Sequence, residues 1–164
     1  MVDRIGRLIE RYRALEPEDD EKAAIVAELD GESAHGFLAS VLADPDEHEL
    51  ARVECATALR LYPPVDEEAR REAGEAVVAA LSDHDEDLVR QHAAMALGPY
   101  ADHPVVHRVM AAAMRSDDDV NVRHNAAAAC AEAGPSEERT RLVSELLADD
   151  ELGSWAARTL ERWA

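Results

Sequence analysis

A chain of 164 residues has the usual length of one domain and can bury a core without a disulfide or a structural metal. Apolar residues make up 47% of the chain but aromatic residues only 4%, and alanine supplies much of the difference, which favours a helical protein. Seventeen basic and 36 acidic residues give a net charge of −19, which argues against nucleic-acid phosphates and anionic membrane surfaces as ligands. This charge favours a basic protein partner, and adaptation to the solvent or to genome composition explains it equally well.

Hydrophobic periodicity predicts about ten helices in five antiparallel pairs, with no competing strand pattern. Six of the helices are predicted at residues 3–15, 18–29, 33–42, 67–81, 104–114 and 136–147. The other four follow acidic turns within residues 42–59, 81–98, 114–130 and 147–160. Prolines at several helix boundaries support these limits, and no interior linker is evident, so one domain over residues 1–164 is expected.

Three of these segments are copies of one pattern, and they align on Arg52, Arg90 and Arg123, which are 38 and 33 residues apart. Each copy reads as the end of one helix, an acidic turn and a second helix with apolar residues on one side. A fourth copy at residues 147–160 is decayed, with Gly153 in place of the arginine. Acidic residues suit these turns because they accept hydrogen bonds from unpaired N–H groups at the helix start.

The two cysteines predict no disulfide framework, because Cys55 and Cys130 each lie in an alanine-rich helical run, where a buried thiol acts as a small apolar side chain. The first fifteen residues are charged and amphipathic, unlike a signal peptide. No apolar run approaches the length of a membrane helix. A cytoplasmic location is therefore expected.

The repeated pattern, L-x-D-x-D followed by V-R-x-x-A-A-x-A-L-G, resembles HEAT repeats, and most closely the short phycobilisome-lyase-type HEAT-like repeats. The resemblance covers residues 33–164, and residues 1–32 are expected to form a helical N-terminal cap. It implies an all-α solenoid in which the Val-Arg helices line the concave face. It also implies a structural ladder of acidic turn residues and arginines between neighbouring repeats. The ladder residues are Arg52, Asp83, Asp85, Arg90, Asp117 and Arg123, with Asp83 or Asp85 paired to Arg90 and Asp117 paired to Arg123.

Enzymes built on similar helical arrays are the alternative class to a protein-binding module. A di-iron hydroxylase of the deoxyhypusine type needs His-Glu pairs on several inner helices, but the matching positions hold Val53-Glu54, Gln91-His92 and His124-Asn125. A DNA glycosylase needs a basic groove, and a bilin lyase needs a larger aromatic pocket. No nucleophile motif or phosphate loop is present. We therefore expect a non-catalytic protein with no metal and no cofactor.

His103 and His107 are the one pair of histidines at a spacing that suits a metal, since i and i+4 share a helix face. No third ligand is evident from the sequence. Two surface histidines near a helix start are the favoured interpretation.

The predicted binding surface is the concave strip. We define it in each copy by the positions one, two and five residues after the aligned arginine, or after Gly153 in the fourth copy. Its mixed polar, aromatic and methionine side chains suit recognition of a protein surface. The candidate binding residues are Glu54, Gln91, His92, Met95, His124, Asn125, Trp155 and Arg158. The acidic turns at residues 44–49, 83–87, 117–119 and 149–151 are expected to stack into a negative ridge along one edge.

The function predicted from these features is that of an adaptor or scaffold that binds a protein partner through the concave strip and the acidic edge. The partner is expected to be basic, with no nucleic acid and no membrane involved. Within the same class, the alternative is an immunity or antitoxin-like protein that neutralises a basic toxin. Trp155 has a second interpretation as the seal of the last repeat, since helical arrays must cover their ends.

Overall fold

The computed structural model describes residues 3–29 and 34–164, and this part of the chain forms ten α-helices and one short 3-10 helix with no β-strand. The helices alternate with short turns, so that consecutive helices run antiparallel. Their bounds are α1 Arg4–Ala14, α2 Glu21–Glu28, α3 His35–Ala43, α4 Glu49–Leu61, α5 Glu67–Leu81, α6 Asp87–Met95, α7 Pro104–Ser116, α8 Val120–Ala133, α9 Glu137–Glu145 and α10 Gly153–Trp163. The 3-10 helix Gly98–Tyr100 follows α6.

The helices form two layers of an α-solenoid, as predicted. The even-numbered helices α2, α4, α6 and α8 pack on one another in succession and form the inner layer. The odd-numbered helices form the outer layer, in which α3 packs closely on α5 while α5 and α7 lie further apart. The inner layer is therefore continuous from α2 to α8, whereas the outer layer is packed closely only between α3 and α5.

One continuous core lies between the two layers. Its largest fully buried apolar side chains are Tyr12, Ile25, Leu38, Leu42, Leu59, Leu97, Met110, Met114, Leu142 and Leu152. Small alanines fill the inner helices and allow their close approach. Cys55 and Cys130 are buried and free, and burial raises the pKa of the Cys130 thiol to about 11.

Most predicted helices occur where expected, and α5 begins and ends at the predicted residues, 67 and 81. The differences lie at helix ends, where turns and caps replace a first helical turn. Ser136 is a cap whose hydroxyl accepts from the Arg139 amide, so α9 begins one residue later than predicted. The predicted helix 18–29 begins at Glu21, because residues 16–20 form a turn.

Part of the predicted N-terminal cap and the predicted start of α3 at residue 33 lie outside the described residues. Within residues 3–29 and 34–164, none of the helices is both long and apolar enough to cross a membrane.

Candidate functional site

Three arginines, the buried Arg52 and Arg90 and the half-buried Arg123, connect the repeats at the edge where the acidic turns lie. In each, the Nε–H donates to the carbonyl of a residue at the end of the preceding outer helix: Leu42, Leu81 and Met114, at 3.0, 3.1 and 2.9 Å. A terminal guanidinium nitrogen donates to an aspartate in the next acidic turn. These ion pairs are Arg52–Asp83, Arg90–Asp117 and Arg123–Asp149, at 2.7, 2.6 and 2.7 Å. Each arginine therefore ties its own turn to the following repeat.

The predicted pairing within this ladder was wrong by one repeat. Asp83 pairs with Arg52 rather than Arg90, and Asp117 pairs with Arg90 rather than Arg123. Each aspartate accepts a backbone N–H of its own turn through Oδ1, while Oδ2 points back toward the previous repeat. Asp85 is exposed, and only its backbone N–H takes part, as a donor to Asp83. Sequence spacing fits both pairings, and only the stacking of the layers decides between them.

Lys22, the second residue of α2, makes a similar link to the next repeat, which the sequence reasoning missed. Its buried ammonium lies 3.3 Å from Glu47 Oε2 and 4.5 Å from the centre of the Tyr12 ring. The Tyr12 hydroxyl donates to the same carboxylate oxygen at 2.6 Å. Burial, followed by the bond to Glu47, raises the pKa of Tyr12 far above its usual range. The available signal was the only lysine in the chain, which follows an acidic turn at residues 16–20.

In the concave strip, three polar side chains are engaged in bonds between neighbouring inner helices or turns. Gln91 donates through Nε2 to Asp119 at 2.8 Å, and Asn125 donates to the Gln91 carbonyl at 3.0 Å. His124 Nε2 lies 2.6 Å from Glu151 Oε1. The bond from Gln91 also lowers the pKa of Asp119. These contacts give Gln91, Asn125 and His124 a structural role between repeats.

The other strip residues differ in how much surface they offer. Glu54 and Met95 are half-buried on the inner face of α4 and α6, and His92 is half-buried with Nδ1 2.9 Å from its own helix carbonyl at Leu88. Trp155 is half-buried and packs on the core of the last repeat, while Arg158 is exposed. The inner face therefore combines carboxylate, imidazole, thioether, indole and guanidinium groups within one strip.

The acidic turns contain two kinds of carboxylate. Asp83, Asp117 and Asp149 face the ladder arginines and are half-buried. The hydrogen bond from Arg52 is the main cause of the lowered pKa of Asp83. The remaining turn carboxylates are largely exposed: Asp44, Asp46, Glu49, Asp85, Asp87, Asp118, Asp150 and Glu151. The exposed set gives this edge its negative surface.

At the opposite edge, the concave face is narrowed by a contact between α4 and α8. Arg60 at the end of α4 lies 3.2 Å from Glu132 near the end of α8, across the shorter α6. Gly98, just after α6, permits the close approach, since a Cβ there would lie 3.1 Å from the Ala129 carbonyl oxygen. The Tyr100 hydroxyl donates to the Leu59 carbonyl at 2.6 Å and fixes the same connection to α4. These contacts therefore tie α4, the connection after α6 and α8 together at this edge.

A pocket of about 670 Å³, which no sequence pattern predicts, lies between the starts of α5 and α7 in the outer layer. Arg70 and Tyr100 line it, and the Arg70 guanidinium donates to the carbonyls of Pro64 and Pro99. His103 also lines it and caps α7 by accepting from the Val105 amide. Its acidic and basic lining residues are mixed, so it has no single charge character.

The histidines, cysteines and carboxylates of the described part of the chain do not form a metal site. No group of three or more His, Cys, Asp and Glu side chains there is arranged to hold an ion. His103 serves as a helix cap, and the Nδ1 of His107 is buried without a hydrogen-bond partner among the described residues.

Comparison with known proteins places these features in a family. The family model for HEAT repeats matches residues 74–161, which is more than half of the chain. No curated protein and no solved structure matches this chain. The matched span runs from α5 to α10 and includes the Arg90–Asp117 and Arg123–Asp149 steps of the ladder.

Proposed function

Because the chain belongs to the HEAT-repeat family, we propose that it is a non-catalytic protein-binding module, an adaptor or scaffold. The partner contacts the concave strip and the acidic turns that border it. The observation that supports this proposal most strongly is the open inner face, where Glu54, His92 and Met95 are half-exposed beside a row of exposed carboxylates. HEAT arrays are commonly scaffolds for protein interaction, and their extended inner surfaces suit that role.

We also propose that residues 1–164 act as one domain, with residues 1–32 as its N-terminal cap. The pair Lys22–Glu47 supports this division, because it ties α2 to the turn before α4 as the arginines tie later repeats. On the basis of the repeated motif, we propose that these repeats are of the phycobilisome-lyase type.

The partner that we propose is a basic protein. The net charge of −19 and the exposed turn carboxylates create a field that steers a cationic protein toward this edge and raises its association rate. Met95, Trp155 and Arg158 are of the residue types that anchor interfaces, and they supply short-range contacts after encounter. We accordingly expect binding that weakens as salt rises.

A second candidate role has the same physical basis. A small acidic chain that binds one basic toxin is an immunity or antitoxin-like protein, and the charge imbalance of 36 acidic to 17 basic residues favours this reading. It predicts tight binding to a single basic protein that is toxic by itself. Loss of toxicity on co-expression distinguishes it from a general adaptor.

The proposed function is tested by affinity capture from a lysate of the source organism, with three forms of the whole chain as bait. The inner-face variant carries Glu54→Ala, Met95→Ala and Arg158→Ala. The matched outer-layer control carries Glu72→Ala, Val105→Ala and Arg108→Ala, which changes the same charges and one apolar side chain at exposed positions. Salt-gradient elution and mass spectrometry identify what each bait retains.

We expect the unmodified chain and the outer-layer control to retain the same basic protein, and the inner-face variant to lose most of it. Equal capture by all three baits, or loss only with the outer-layer control, contradicts the assignment to the inner face. A metal or chromophore that copurifies with the chain favours the enzyme class instead.

A further inference from the structure

Three exposed apolar side chains lie at the acidic edge, one at the start of each central inner helix. Leu50 and Leu88 are the second residues of α4 and α6, and Val120 is the first residue of α8. Their exposed fractions are 44%, 36% and 45%. The fold does not need them at the surface for its own packing, because the core side of each helix start is filled by other residues: Ala51, Val89 and Val122.

The ladder holds the starts of α4, α6 and α8 side by side, and we call their three exposed apolar side chains a row. Arg52, Arg90 and Arg123 are each the fourth residue of their helix, and each is tied to the next repeat by its aspartate. Packed helices lie about 8–10 Å apart, so the row has two steps of about that length. Leu50 and Leu88 precede their ladder arginines by two residues and Val120 precedes Arg123 by three, so the first turn of each of these helices presents one exposed apolar side chain.

Carboxylates border this row on the solvent side. We name the three apolar residues together with the exposed acidic residues beside them the acidic apolar edge. Its members are Leu50, Leu88, Val120, Asp46, Glu49, Asp85, Asp87 and Asp118. None of these five carboxylates takes part in an ion pair within the described residues.

A hollow of about 390 Å³ lies at the Leu50 end of the edge. Its apolar walls come from Leu50, Pro17 and Pro45, and its polar lining is almost wholly acidic. The acidic lining residues are Glu18, Asp20, Asp46, Glu47, Glu49 and Glu86. Among the described residues that line it, His48 is the one basic side chain, and its Nε2 lies 3.2 Å from Asp20. The hollow suits an arginine or lysine side chain, whose long apolar stem packs on the walls while its charge meets the carboxylates.

We propose that the acidic apolar edge binds one basic amphipathic helix of the partner protein. Seven residues of an α-helix rise about 10.5 Å, which is close to the step between neighbouring inner helices. A helix laid across α4, α6 and α8 with apolar residues at seven-residue intervals meets Leu50, Leu88 and Val120 in turn. Lysines and arginines that flank those residues meet the carboxylates, and the net charge of −19 excludes an acidic helix from the same place. This inference rests on the proposed protein-binding function and specifies the partner's chemistry.

The probe for this inference is a synthetic helical peptide about three heptads long, with leucine at every seventh position and lysine or arginine beside it. Two comparison peptides are used. One has the same composition with the leucines scattered around the helix, and the other has acidic residues in place of the basic ones. Isothermal titration at physiological salt measures binding to the whole chain, and circular dichroism confirms that each variant is folded.

We expect the patterned basic peptide to bind at least about tenfold more tightly than the scattered one, which corresponds to about 1.4 kcal/mol. Leu88→Gln weakens its binding by a similar factor, because it removes the middle apolar contact. Leu61→Gln is the matched control, since Leu61 is 58% exposed at the opposite edge and we expect no change there. Asp87→Asn and Asp118→Asn together weaken binding and reduce its dependence on salt.

Equal affinity for the patterned and scattered peptides overturns the inference, because it means that charge alone attracts them. Equal effects of Leu88→Gln and Leu61→Gln, or binding of the patterned peptide weaker than about 100 µM, also overturn it. A natural partner that the inner-face variant loses would still support the proposed function in that case. Failure of the capture experiment with every bait counts against the proposed function itself.

Discussion

The two edges of the array are held together in different ways. The acidic edge repeats one arrangement, in which a buried or half-buried arginine joins the end of an outer helix to the aspartate of the next turn. Among the described residues, the opposite edge does not have one such link per repeat, because its two comparable arginines, Arg70 and Arg139, both reach the connection between α6 and α7. There, Arg70 donates to two proline carbonyls, Arg139 pairs with Asp102 at 2.7 Å, and Arg60 meets Glu132 across two repeats.

This difference explains why exposed side chains at the acidic edge are available to bind a partner. One carboxylate in each turn is enough to pair with the arginine or lysine of the previous repeat, so most of the additional carboxylates remain exposed beside Leu50, Leu88 and Val120. At the opposite edge, side chains and close backbone contacts narrow the inner face. Stability and binding are thus assigned to different residues of the same turns, and the predictions below test that separation.

The largest effect is expected for Arg52→Ala at the acidic edge. The Arg52 guanidinium is only 1% exposed, and its loss leaves Asp83 and the Leu42 carbonyl without their partner. We expect the free energy of unfolding to fall by about 3–5 kcal/mol, as when one member of a buried ion pair is removed. Urea denaturation measures the change. Arg71→Ala, which removes an exposed pair with Glu68 and Glu75, is the control and is expected to leave the free energy of unfolding almost unchanged, because solvent screens such pairs. Similar losses in the two variants contradict a structural ladder.

Gly98→Ala tests the close approach at the opposite edge. The new Cβ would lie 3.1 Å from the Ala129 carbonyl oxygen, which belongs to the α8 backbone and cannot move aside alone. We expect a loss of about 1–3 kcal/mol, typical of overpacking, as measured by urea denaturation. At Gly36 in α3 a Cβ meets nothing within 4 Å, so Gly36→Ala is expected to stabilise the chain by up to about 1 kcal/mol. If Gly98→Ala has as high a free energy of unfolding as Gly36→Ala, the close approach of Gly98 to α8 is contradicted.

Acid should weaken the ladder in a defined pH range. The hydrogen bond from Arg52 lowers the pKa of Asp83, and the Leu152 amide followed by Arg123 lowers the pKa of Asp149. A carboxyl with a lower pKa in the folded state stabilises fully above its unfolded pKa, near 3.9, and loses that contribution as pH falls through the folded value. We therefore expect the stability difference between the unmodified chain and Asp83→Asn to be constant from about pH 7 to pH 5 and to shrink below about pH 4. Denaturation midpoints at a series of pH values measure this difference in stability. A difference that grows as the pH falls would contradict the prediction.

The smallest effect is expected for the Arg60–Glu132 pair. Both side chains are partly exposed, so solvent screens their attraction. A double-mutant cycle of Arg60→Ala and Glu132→Ala should give a coupling free energy below about 1 kcal/mol. A coupling as large as that of Arg52 with Asp83 would mean that the two edges are not held differently after all.

The sequence predicted the repeated features well and the singular ones poorly. Apolar periodicity and turn residues located the helices, because those signals are local, and the aligned arginines marked the ladder. The pairing of Asp83 and Asp117 was misassigned, since spacing does not say which neighbouring repeat an aspartate faces. The continuation of the ladder to Lys22 was missed because its turn is shorter and its residue type differs.

The same distinction applies to the candidate site. The strip on α4, α6 and α8 was inferred from helix geometry, and the structure adds that Gln91, Asn125 and His124 are engaged in bonds between repeats. The close approach of Arg60 to Glu132 joins residues far apart in sequence, so no local pattern indicates it. The exposure of Leu88 likewise depends on how neighbouring repeats stack.

Site-specific photo-crosslinking in a lysate tests the central claim most directly. A photoreactive amino acid replaces Leu88 at the acidic edge, Met95 in the concave strip, Leu61 at the opposite edge and Arg108 in the outer layer, one position at a time. We predict that one protein becomes covalently attached from positions 88 and 95 and from neither of the other two. Attachment of that protein from positions 61 or 108, with none from 88 or 95, would contradict the separation of binding from stabilising residues that the two edges imply.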